Sequence, residues 1–158
     1  MLDPRLRFTL MTTPGSSTRA SRQSGGWVLL VDDEQPLLDL FSESLGPYFE
    51  TSTATTVKAA WVLLRQKEFK VLISDHVMPG GDGLGFLVEA REQFPNIQRV
   101  LITGYMKPEL LQRRVNDAGL FRYLLKPVSL PELIKTILDA AKVYDHVAAL
   151  SKQPPHAY

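Results

Sequence analysis

Three runs along this chain are apolar from end to end, and each stops on polar residues. They are WVLLV (27–31) before Asp32 and Asp33, VLI (71–73) before Ser74 and Asp75, and VLI (100–102) before Thr103. A strand with one wet face alternates apolar and polar side chains, whereas a strand that is apolar throughout is covered on both faces. Two less apolar strand patterns, FETSTA (49–54) and FRYLLK (121–126), complete a set of five. Between and after them lie helical spacings at 34–45, with Leu37, Leu38, Phe41 and Leu45 on one side, and at 57–66. A third spans 83–94, with Leu84, Leu87 and Val88 expected to face inward, a fourth 107–119, ended by Gly119, and a fifth 129–150. The last opens on a capping box, Ser129 with Glu132 three residues on. Strict alternation of strand and helix with doubly covered strands predicts an α/β fold: a doubly wound, five-stranded parallel sheet.

Composition narrows the function classes. A chain of 158 residues with 44% hydrophobic content holds one domain and a real core. A formal net charge of +1 argues against a dedicated nucleic-acid binder. Residues 1–26 carry four arginines against one acid, a net of +3. From 12 to 26 they hold no apolar side chain larger than alanine, so 1–26 is expected to be a flexible leader. The chain has no cysteine, which removes thiol nucleophiles, disulfides and thiolate metal sites. It also lacks an apolar run near the roughly 18 residues of a membrane span and the core of a signal peptide. A soluble, cytoplasmic protein is the expectation.

In a doubly wound sheet, ligands bind at the carboxyl ends of the strands, where strand order reverses. The residues delivered there are Asp32 and Asp33, Asp75, Thr103, and Lys126 followed by Pro127, separated by up to 94 positions in sequence. Three gathered carboxylates raise one another's pKa unless a cation compensates. An oxygen-only ligand set with no His or Cys points to Mg2+ or Mn2+. Such an ion leaves one carboxylate available to act.

VDDE (31–34), DHVMPGGDG (75–83), TGY (103–105) and YLLKP (123–127) together resemble the receiver domain of two-component response regulators, over about residues 27–146. The resemblance implies the flavodoxin-like strand order 2-1-3-4-5. It implies that Asp75 is the phosphoacceptor, Asp33 the direct metal ligand and Asp32 the acid that holds metal-bound water, with Val77 offering its backbone carbonyl. Thr103 would sense the phosphoryl group, Lys126 would be its charge partner, and Tyr123 would be the switch aromatic. The implied partners are a histidine kinase or phosphotransfer protein upstream and a protein target or separate output domain downstream. The implied chemistry is the chain's own phosphorylation and slow autodephosphorylation rather than turnover of an external substrate. Val77 and Tyr105, bulky and two residues beyond Asp75 and Thr103, lead to the expectation of a long-lived phosphorylated form.

Other readings of the same residues exist. Asp32 and Asp33 in isolation serve as helix caps, Thr103 as a strand-end hydroxyl bonded to backbone, and Tyr123 as a half-buried strand aromatic. Gly80, Gly81 and Gly83 resemble part of a phosphate loop but lack its Lys-Ser/Thr, and read as turn residues. His76 is set aside as a relay, because neighbours on an extended strand point apart. The main functional alternative is a pseudo-receiver acting as a constitutive binding module. An aspartyl-phosphate hydrolase is disfavoured by Val77 where a second acid is usual, and a flavin protein by the acids at the first strand end. Leu133, Ile137, Ala140, Tyr144 and Val147 continue an apolar stripe down the last helix, so 147–158 is read as a helix extension and tail, with a homodimer through that helix possible.

Overall fold

The computed structural model describes residues 25–104 and 107–152. Residues 1–24 of the expected leader, Tyr105 and residues 153–158 lie outside the described residues. In chain order the elements are β1 (Trp27–Val31), α1 (Gln35–Leu45), β2 (Glu50–Ala54), α2 (Val57–Gln66), β3 (Phe69–Asp75), β4 (Val77–Met78), β5 (Gly81–Asp82), α3 (Gly83–Gln93), β6 (Gln98–Thr103), α4 (Pro108–Ala118), β7 (Arg122–Leu125) and α5 (Leu130–Lys152).

The main sheet runs β2-β1-β3-β6-β7, with every neighbouring pair parallel. The expected five-stranded, doubly wound order is therefore observed. The chain leaves β1 to one side for β2 and returns to its other side for β3, so strand order reverses between β1 and β3, where Asp32 and Asp75 emerge. Successive side chains of β1 alternate between two cores. Leu29 and Val31 pack with α2, α3 and α4, while Val28 and Leu30 pack with α1 and α5. This is the physical reason the strand is apolar at every position.

Local signals act as the physics of caps and turns requires. Thr56 caps α2, accepting from the Ala59 N–H at 3.1 Å. Ser129 accepts from the Glu132 N–H at 3.2 Å at the start of α5. Gly119 ends α4 at φ 62°, in the left-handed conformation.

Two expectations need correction. Val88, expected inward, is 40% exposed, and Phe86 at 3% takes the inward place. The buried arc of α3 runs through Phe86, Ala90, Leu87 and Leu84. Phe86 meets Trp61 edge-on at 5.1 Å between ring centroids, which sets the helix's rotation and leaves Val88 beyond the arc. The second correction concerns the glycines. Gly80 is a true turn residue, at φ +75° behind Pro79 in the loop joining the antiparallel β4 and β5. Gly83 has another role: a Cβ there would stand 1.7 Å from the Asp75 carbonyl oxygen. It is glycine because the first turn of α3 is pressed against the end of β3.

Candidate functional site

Asp32 continues β1 by one residue, its N–H donating to the Ala54 carbonyl at 3.1 Å, and it is 2% exposed. Its Oδ1 accepts from the Glu34 N–H at 2.9 Å, just before α1. Its Oδ2 is buried with no hydrogen-bond partner among the described residues. Glu34 is the N-cap residue of α1 and the helix has no side-chain cap, so Asp32 Oδ1 secures the turn into α1 rather than capping it. Burial raises the Asp32 pKa to about 6, with the Asp75 and Asp33 charges adding to the rise and the Glu34 bond and Lys126 opposing it.

Asp75 ends β3, 5% exposed, and Asp33 beside Asp32 is exposed. The three aspartates each present an oxygen within 4.8 Å of the others. This arrangement fits a hard divalent cation on two counts: an all-carboxylate donor set, and a buried Asp32 Oδ2 with no hydrogen bond among the described residues. Lys126 follows β7 and reaches back, its Nζ 3.1 Å from Asp75 Oδ1 and 4.0 Å from Asp32 Oδ2. Burial alone would lower the Lys126 pKa. The Asp75 hydrogen bond and the charges of Asp75, Asp32 and Glu34 outweigh it and raise the pKa.

Thr103, the last residue of β6, is 1% exposed, and its carbonyl accepts the Lys126 N–H at 2.9 Å. Backbone pairing thereby ties the hydroxyl-bearing strand to the lysine. A cleft of about 450 Å³ lies over the site, lined by Asp75, His76, Val77, Thr103, Gly104 and Lys126. Val77 opens to solvent at 76% exposure. Tyr123 pairs with Leu101 in β7 and is half-buried against the core on the α4 side of the sheet. The sheet therefore gathers Asp32, Asp33, Asp75, Thr103 and Lys126 at one rim, with Val77 at the mouth and Tyr123 behind the last strand.

His76, set aside as a relay because strand neighbours point apart, lies nearer the site than that rule implies. The chain bends after Asp75, and the His76 N–H donates to the Ile102 carbonyl and to Asp75 Oδ1, each at 2.9 Å. Its ring Nδ1 then lies 3.2 Å from Thr103 Oγ1. The alternation rule applies only while the strand continues, and β3 stops one residue earlier. Arg99 was also missed. It is buried at 4% exposure near the start of β6, just before the apolar run, where its guanidinium donates to the Leu87, Ala118 and Gly119 carbonyls at 2.8, 3.0 and 2.8 Å. It secures the end of α4 and belongs to the scaffold.

Comparison with known proteins agrees with this geometry. Residues 28–138 match the family described as the response regulator receiver domain. The hydrogenase transcriptional regulatory protein HoxA of Cupriavidus necator is 37% identical over 115 residues, 73% of this chain and 24% of HoxA. The response regulator protein PilR of Pseudomonas aeruginosa is 30% identical over 116 residues, 73% of this chain and 26% of PilR. The signal receiver domain of an HD domain-containing protein from Pseudomonas fluorescens superposes with a TM-score of 0.72 at 27% identity, over 78% of this chain and 92% of that one. The chain spans about a quarter of the length of these two curated relatives. With three acids, a hydroxyl and a lysine delivered to one rim of a 2-1-3-6-7 sheet, the matching stretch makes this chain a member of the response regulator receiver domain family.

Proposed function

We propose that the chain is a phosphorylation-switched receiver that accepts a phosphoryl group on Asp75 from a histidine kinase or phosphotransfer protein and signals through protein contacts. The observation that carries this reading is the Lys126 Nζ at 3.1 Å from Asp75 Oδ1, beside three carboxylates within 4.8 Å of one another. A carboxylate attacking phosphorus must approach an anion, and the difficulty is electrostatic. Lys126 already neutralises one side of Asp75 and stands where it can also bind an equatorial oxygen as charge spreads over it.

Asp33, Asp32, Asp75 and the Val77 carbonyl would hold Mg2+ or Mn2+, which supplies further charge neutralisation at the phosphoryl oxygens. In the transfer itself the phosphohistidine N–P bond breaks as the Asp75 O–P bond forms, and the electron pair stays on the departing imidazole. Asp32, with its buried Oδ2, would help hold the ion. Thr103 donates its hydroxyl to the new phosphoryl group, and movement of the Thr103 segment is the signal that Tyr123 and the face around β7 would pass on. The apolar Val77 side chain offers no hydrogen bond to an attacking water, consistent with a long-lived phosphorylated form.

In this reading the chain catalyses only its own phosphorylation and its slow reversal. Its output passes to a protein target or a separate effector domain. No helix among the described residues is long and apolar enough to cross a membrane, which agrees with a cytoplasmic setting. The test is intact mass after incubation with acetyl phosphate, with and without Mg2+, for the wild type and Asp75→Asn. A single phosphoryl adduct that needs Mg2+ and is absent in Asp75→Asn is expected. An unmodified wild type would leave the fold as a constitutive binding module.

A further inference from the structure

We propose that His76, oriented by Asp82, is a positioning residue that competes with the phosphoryl group for the Thr103 hydroxyl and so sets how readily this receiver switches. The proposal rests on the reading of Asp75 as phosphoacceptor.

Three side chains form a line. Asp82 Oδ1 accepts from the Leu84 N–H at 3.0 Å, which fixes the carboxylate at the start of α3. The His76 Nε2 lies 3.9 Å from that same oxygen, and the ring is only 18% exposed. The His76 Nδ1 lies 3.2 Å from Thr103 Oγ1. A carboxylate facing Nε2 favours the tautomer with its proton on Nε2, which makes Nδ1 an acceptor. Thr103 then donates its hydroxyl proton to Nδ1. A hydroxyl carries one proton, so a phosphoryl oxygen on Asp75 receives that donation only by displacing the imidazole.

The backbone reinforces the arrangement. The His76 N–H is shared between the Ile102 carbonyl and Asp75 Oδ1, so the imidazole is tied at its root to the strand that carries Thr103 and to the acceptor carboxylate. A second amide, that of Gly83, donates to the His76 carbonyl at 2.8 Å. The His76 backbone is therefore fixed at both its N–H and its carbonyl, which sets where the ring leaves the chain beside the hydroxyl. The Thr103–imidazole bond is a neutral one that the phosphoryl group must displace, and its loss is worth a difference of about two- to tenfold in the ease of switching.

The test uses the full chain and beryllofluoride with Mg2+, a stable mimic of the phosphoryl group, with affinity read by calorimetry. His76→Phe keeps the ring's bulk and removes the acceptor, and it is expected to bind beryllofluoride about two- to tenfold more tightly than the wild type. His76→Asn, whose amide oxygen can stand near the Nδ1 position, is expected to restore affinity close to that of the wild type. In a Thr103→Ala background, His76→Phe is expected to change nothing, because the shared hydroxyl is gone. Unchanged or weaker binding by His76→Phe overturns the proposal, as does tightening that survives in Thr103→Ala. Wild-type protein that binds no beryllofluoride overturns instead the acceptor reading of Asp75, and the competition with it. Should His76→Phe fail to fold, the ring 15N shifts of His76 in the wild type decide. A proton-bearing Nδ1, or shifts that ignore Thr103→Val, sink the idea.

Discussion

The two ends of the sheet each carry a lysine–aspartate pair, and only one of them makes a site. At the carboxyl rim Lys126 and Asp75 stand 3.1 Å apart, with Asp75 7% exposed in its side chain and Asp32 beside it at 3%. At the opposite edge Lys70 and Asp145 stand 2.7 Å apart, with Asp145 57% exposed. The shorter contact is the less consequential one, because water reaches the Asp145 carboxylate and screens it, whereas both carboxylates at the rim are buried. The larger clefts of the molecule, about 630 and 840 Å³, also open at that opposite edge, beside Lys67, Glu68, Asn96 and Tyr144. Their lining includes the Lys70–Asp145 pair and side chains that rest on neighbouring surface. Lys67, for instance, sits 3.6 Å above the Trp27 ring. At the carboxyl rim, crowding and burial leave an oxygen without a hydrogen-bond partner among the described residues, and there charge becomes chemistry.

The comparison can be sharpened by substitution, beginning where backbone and site are inseparable. Gly83→Ala drives a methyl into the Asp75 carbonyl and is expected to cost about 3 kcal/mol of stability, read by urea denaturation, because backbone cannot step aside as a side chain can. Lys126→Ala removes the cation beside the acceptor. It should slow phosphoryl transfer from acetyl phosphate about 10²-fold, measured by intact mass over time, while the protein stays folded.

Asp32 allows a test by pH. Its folded pKa of about 6 lies above the ordinary 3.8, so the folded state holds the proton more tightly than the unfolded chain. The stability this contributes is whole below about pH 4 and is lost as pH rises through about 6. Without divalent cations, the wild type should therefore lose about 2–3 kcal/mol relative to Asp32→Asn between pH 4 and 7.5. Mg2+ at pH 7.5 should return stability to the wild type and not to the variant. A difference that does not change with pH would remove Asp32's buried oxygen from the electrostatics of the site. At the other end, Lys70→Met is expected to change stability by no more than about 1 kcal/mol and to leave phosphorylation untouched. An effect there as large as that of Asp32 would undo the contrast between the two ends.

Much of this was legible in the chain itself. The doubly apolar runs of β1, β3 and β6 determined that the sheet is covered on both faces, and the alternation of strand with helix determined that it is parallel. With parallel strands, residues at the strand ends must share a rim, so Asp32, Asp75, Thr103 and Lys126 could be assembled from one dimension. The rotation of α3 could not, because Val88 and Phe86 are both good inward candidates and the choice depends on Trp61, a partner from another helix. The meaning of Gly83 depended on how closely α3 approaches the end of β3. Arg99 reads as a blemish in a buried run until three carbonyls from α3 and α4 close around it. His76 needed the exact point at which β3 stops, for a bend of one residue turns a side chain from one neighbourhood to another. Periodicity and strand ends are properties of neighbours in sequence, so the sequence determined the sheet and its acidic rim. Contacts between elements distant in sequence depend on packing distances, so only the tertiary structure decided which buried oxygen lacked a hydrogen bond and which imidazole met the threonine.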